Sequence, residues 1–187
     1  MGPHRSRAAA VVAVAVLVVA GAACGPTAPG PTAEPRVATF GEFFGSWCSS
    51  MQSMLRAIGN PDTGADSQLS KALDAAIEAG DLASVDAVAG QIRTELQNGR
   101  RLVASASAWP PGAQMASQTE RVLAAFDAAI GAKQAAAKEG LAKAEELAQA
   151  AFVKAGGEEA WTGMIEAARG IDEIARAEGP SCPGITG

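Results

Sequence analysis

From Thr39 onward the apolar positions of this chain follow a helical period almost without interruption. Phe40, Phe43, Phe44, Trp47, Cys48, Met51, Met54, Leu55 and Ile58 recur at intervals that place them on one face of an α-helix. Thr39 and Glu42 have the spacing of a capping box at its start, and Gly59-Asn60-Pro61 stops it. The density of Phe and Met predicts that this helix is the centre of the core. Asp66 is the expected cap of a second helix, whose inner face is Leu69, Ala72, Leu73, Ala76 and Ile77 and whose end is Gly80. Asp81 caps a third, with Leu82, Val85, Val88, Ala89, Ile92, Leu96, Gly99, Val103 and Ala106 inward. It runs about 26 residues, ~39 Å. Trp109-Pro110-Pro111-Gly112 ends it, and Trp109 is expected to pack on one end of the bundle.

The stripe of a fourth helix, opening near Ala113, starts at Met115 and passes through Thr119, Val122, Leu123, Phe126, Ala129 and Ile130. Beyond Ile130 it thins to alanine, but Lys133, Ala137, Leu141, Ala144, Leu147, Ala148, Ala151 and Phe152 hold the phase. One helix over 113–154 is therefore expected, ~60 Å long, with Gly140 as its weak point. Gly156-Gly157 turn the chain. A last helix carries Glu158 and Glu159 in its first turn, where the helix dipole favours them, and Trp161, Met164, Ile165, Ala168, Ile171, Ile174 and Ala175 on its stripe. The expected fold class is all-α: an antiparallel bundle of four to five helices over residues 39–183.

The N-terminal pattern is different. Arg5 and Arg7 precede an unbroken apolar run from Ala8 to Cys24 of about 17 residues, at the lower limit for a spanning helix. Small residues Gly21, Ala22 and Ala23 come just before Cys24, and Gly25, Pro26, Pro29 and Pro31 follow at once. The order is that of an export signal. With Ala20-Gly21-Ala22-Ala23-Cys24 at its end, the stretch resembles the signal peptides of bacterial lipoprotein precursors, although that class usually has Leu or Val where this chain has Gly21. The resemblance implies a signal peptide over 1–23, removed on export, and acylation of Cys24 with lipid such as palmitate. It implies attachment to the extracytoplasmic face of the cell membrane through that lipid. Two other readings of the same residues stay open: a plain secretory signal cleaved after Ala22 or Ala23, and an uncleaved anchor. Residues 24–38 then form a lipidated cysteine and a Pro/Gly-rich tether, reaching up to ~40 Å. In layout the whole resembles the alanine-rich helical lipoproteins of high-GC bacteria, and no residue role carries over from them.

With Cys24 assigned to lipid, Cys48 and Cys182 are left as an even pair in an oxidising compartment, and a disulfide between them is expected. To make it, the tail beyond Gly179-Pro180 has to fold back along the first helix. Loss of the leader removes Arg5 and Arg7 from 15 basic residues, leaving 13 against 20 acidic. An acidic surface of that kind argues against a nucleic-acid partner.

The leader also takes His4, the one histidine. No Ser-His-Asp or Cys-His set can then form, and zinc and di-iron sites lose their usual nitrogen ligands. No CxxC and no phosphate-binding glycine motif occurs. Carboxylate pairs such as Glu145-Glu146, Glu158-Glu159 and Asp172-Glu173 fall on polar helix faces. No catalytic residues, metal or cofactor are expected. The expected function is a membrane-anchored binding or interaction module for a protein or apolar ligand the residues do not name. The alternative is a structural or self-assembling spacer of the envelope. Two places for a ligand suggest themselves: an apolar pocket of Phe40, Phe44, Trp47 and Met51, and a groove beside the alanine-rich half of the fourth helix.

Overall fold

Thr39 starts the first helix as its pattern predicts. In the computed structural model, which describes residues 37–61, 63–178 and 182, the Glu42 amide donates to Thr39 Oγ1 at 3.3 Å and the Thr39 amide to Glu42 Oε2 at 2.9 Å. This closes the capping box of α1, Phe40–Ile58. Gly59 ends it at φ 98°. An added Cβ there would collide with the backbone of Ala65 and Asp66, because Gly59–Asn60 (β1) pairs antiparallel with Ala65–Asp66 (β2). That two-residue ladder occupies Asp66, so the second helix is capped one residue later than expected. Ser67 Oγ accepts from the Ser70 amide at 2.9 Å and donates to the Ala57 carbonyl at 2.9 Å, which ties the start of α2, Gln68–Glu78, to the end of α1.

Gly80, at φ 68°, and the bonds Gly80 N–H to Ile77 and Asp81 N–H to Ala76 finish α2. Asp81 then caps α3, Leu82–Ala106, accepting from the amide and the hydroxyl of Ser84 at 3.1 and 2.6 Å. The Ser84 side chain, and after it the Ser84 amide, hold the Asp81 carboxyl below its ordinary pKa. A carboxyl so lowered adds stability above its unfolded value and loses it as pH falls through the folded value. Asp81→Ala should therefore be less stable than the parent in urea at pH 7, and the gap should close below about pH 4. A gap as wide at pH 3 as at pH 7 would remove the cap from the account.

A 3₁₀ turn at Pro110–Gly112 leads into α4, Ala113–Ala135. Here the structure departs from the single helix expected over 113–154. The chain tightens into a 3₁₀ turn at Ala137–Glu139, passes Gly140 at φ 94°, and starts again as α5, Leu141–Lys154. Glycine takes that φ without the Cβ clash other residues meet. The reversal also lays α5 back on α4, where Ala144 is fully buried and Ala136 and Ala137 close the corner. A straight continuation would have left an alanine-rich half with nothing to pack on. The last helix is likewise two: α6, Gly157–Gly170, ends at Ile171, and α7, Asp172–Glu178, follows. Glycine at 170 is a weak helix former.

The result is an all-α bundle, with seven α-helices among the described residues, all within the unit Arg36–Gly187. α1 and α3 run antiparallel, shown by Ser46 beside Ser105 and Arg56 beside Glu95. α3 and α4 do the same: Arg93 pairs with Asp127 at 2.9 Å, and Arg100 with Glu120 at 3.0 Å. The Asp127 carboxylate raises the pKa of Arg93, chiefly through their hydrogen bond. α1 is not the centre it was expected to be. It packs mainly on α3, whereas α4 is shared by α3, α5 and α6. Small buried residues on several sides of α4, Ala116, Thr119, Ala125 and Ala129, let three neighbours approach.

Cys48 on α1 and Cys182 are joined as a disulfide, with Cα atoms 5.7 Å apart. Residues 1–36, with the stretch read as a signal peptide, Cys24 and most of the expected tether, lie outside the described residues; the last residue of that expected tether, Ala38, is instead tied to the bundle, its amide donating to the Ala108 carbonyl at 3.2 Å.

Candidate functional site

The pocket expected from sequence does not gather its four residues around one space. Phe40, which is buried, stacks with Phe44 at 5.7 Å between centroids and meets Trp109 edge-on at 5.2 Å. These rings, with Phe43, close the bundle end where Trp109 was expected. Trp47 and Met51 instead line a recess of about 390 Å³ with Met115, Trp161 and Met164. Trp47 is held there by its indole N–H, which donates to Thr119 Oγ1 at 3.1 Å.

A larger hollow, about 770 Å³ and open to solvent, lies beside α5. This is the alanine-rich stretch flagged for a groove in the sequence. Its walls come from the end of α1, the β1–β2 turn, α4, α5 and α6. Phe126 of α4 and Phe152 of α5 pack with ring centroids 4.7 Å apart and form the floor with Ile130 and Trp161. Phe152 also lies over Gly157, where a Cβ would stand 2.5 Å from its ring. Glycine at the first position of α6 is thus what lets the ring sit down.

Polar groups edge the groove. Lys133, in the inward stripe of α4, is 8% exposed. Its ammonium lies 2.5 Å from Asp74 of α2 and 3.5 Å from Glu145 of α5. A buried ammonium needs such partners, and the pairings bind α2, α4 and α5 together. Asp66, Glu145 and Glu158 stand on the rim, all exposed.

In the sequence, Phe126, Phe152 and Trp161 stand only as inward positions of their helices. The signal that marks them is their company: large rings set among alanines cannot be matched in volume by their neighbours, so space remains between the helices. Among the described residues no three His, Cys, Asp or Glu side chains are grouped to hold a metal ion, and no helix is long and apolar enough to cross a membrane.

These features define a class, an all-α helical domain with an open, aromatic-floored groove. Comparison with protein-family models, with curated proteins and with solved structures finds no match for the chain.

Proposed function

We propose that this protein is a lipid-anchored module on the extracytoplasmic face of the membrane that binds a small molecule with an apolar body in the groove between α4, α5 and α6. The observation that carries the reading is the groove itself. Its volume of about 770 Å³ falls in the range of small-molecule sites, which are apolar hollows with a few polar groups at the edge. The floor of Phe126, Ile130, Phe152 and Trp161 has that character. The anchoring rests on Arg5, Arg7, the apolar run and Cys24. The tether would hold the groove clear of the bilayer surface.

The neutral probe N-phenyl-1-naphthylamine, which brightens in apolar surroundings, tests the binding. The protein should take it up, with a rise in its emission. Ala148→Trp, which fills the groove from its α5 wall, should abolish uptake while the far-UV circular dichroism stays helical. Equal uptake by parent and variant would sink the groove as a binding site. The mass of the native N-terminus tests the anchor: a chain that begins at Cys24 with added acyl mass is expected, and a terminus without it would overturn the attachment.

A further inference from the structure

We infer that the ligand of this groove is a cationic amphiphile, a small molecule with an alkyl or aryl body and an amine or quaternary ammonium head; this rests on the groove being a ligand site. Charge decides the class. Three carboxylates line the groove, Asp66 from β2, Glu145 from α5 and Glu158 from α6, against one cation, Lys133. That cation is not available to an incoming anion. Its side chain is only 11% exposed, and Asp74 and Glu145 already hold it. The Glu145 side chain is 57% exposed, so its carboxylate still faces solvent.

One local feature would favour an anion, the N-terminus of α6. Glu158 and Glu159 in its first turn already answer that partial charge. The floor points the same way as the rim. Phe126 and Phe152 cover part of each other, with centroids 4.7 Å apart; a ring face left open in the groove attracts a cation as well as an apolar body lying on it. A fatty acid or an alkyl sulfate would gain the same apolar contact, but its head would meet the carboxylates at the rim. An uncharged alcohol would gain from the floor alone. With the leader removed, the 20 acidic against 13 basic residues of the chain add a weaker field of the same sign.

Three probes with one tail and different heads separate these cases: octyltrimethylammonium, octanol and octyl sulfate. Each is titrated into the full chain held in phosphatidylcholine nanodiscs, with empty nanodiscs as blank. Binding is read by titration calorimetry, and the Ala148→Trp chain, whose groove is filled from the α5 wall, identifies the part due to the groove. The ammonium should bind about tenfold more tightly than the sulfate at low salt, with octanol between them, and the ratio should shrink toward one as salt screens the rim. Asp66→Asn with Glu158→Gln should weaken the ammonium by about threefold and strengthen the sulfate. Sulfate binding equal to or tighter than ammonium, or a preference the double variant does not change, overturns the inference and leaves the groove reading standing. Failure of all three probes to bind the parent more tightly than the Ala148→Trp chain overturns both.

Discussion

Reduction of the Cys48–Cys182 bond is expected to cost the domain about 3–5 kcal/mol of stability, because it frees a loop of 134 residues in the unfolded chain. Both sulfur-bearing residues are buried, at 7% and 2% exposure, so the bond sits within the packed structure and does not cross an open surface. Its position makes the effect local as well as global. α7 is seven residues long and packs chiefly on α6, too short to hold by itself. The bond carries the chain that follows α7 to α1. Hydrogen exchange should therefore rise first over 171–178 when the bond is cut, with α3 and α4 protected until global unfolding. Thermal melts with and without dithiothreitol check the size of the loss, and Cys182→Ser should reproduce the reduced melt. Superimposable melts in the two conditions would show that the cross-link contributes nothing.

Phe43→Ala should be comparably severe, about 3–5 kcal/mol in urea unfolding. Phe43 has no exposure to solvent. Its ring centroid lies 4.8 Å from that of Trp109 and 6.4 Å from that of Phe40. It also fills the space over Gly112, where a Cβ would collide with the Phe43 and Trp109 rings. The turn at Pro110–Gly112 carries proline at its start and runs straight into α4, which limits how far it can settle into the cavity. Gly112→Ala should destabilise from the opposite direction, by overpacking. Phe43→Leu combined with Gly112→Ala should cost less than the two changes summed, because each relieves the other. Additive losses would mean that the two positions are not in contact.

What could be read from the residues alone was whatever is settled within a few positions along the chain. Thr39 with Glu42, and Asp81 with Ser84, are hydrogen bonds between residues three apart, and no distant partner alters them. Gly59 and Gly80 end helices because their φ values are local properties. The inward faces of α1 and α3 were legible because Phe, Met, Leu, Ile and Val contrast with their polar neighbours. The pairing of Cys48 with Cys182 followed once Cys24 was set aside for lipid. The cap of α2 was misplaced by one residue because Asp66 and Ser67 are both good caps, and the β1–β2 ladder chose between them.

Tertiary structure decided the rest. Alanine is nearly as content on an inner face as on an outer one, so the stretch after Ile130 carried a helical period but no instruction about what it should pack on. Whether the chain ran straight through Gly140 or turned there depended on the surface α4 offered, and turning buries Ala136, Ala137 and Ala144. The choice of α4 over α1 as the shared helix came from the same source, small residues that let neighbours approach closely. The groove belongs wholly to this level. It is the volume left where α4, α5 and α6 meet around rings that alanine cannot match in size, and a space between elements has no representation in the order of residues along any one of them.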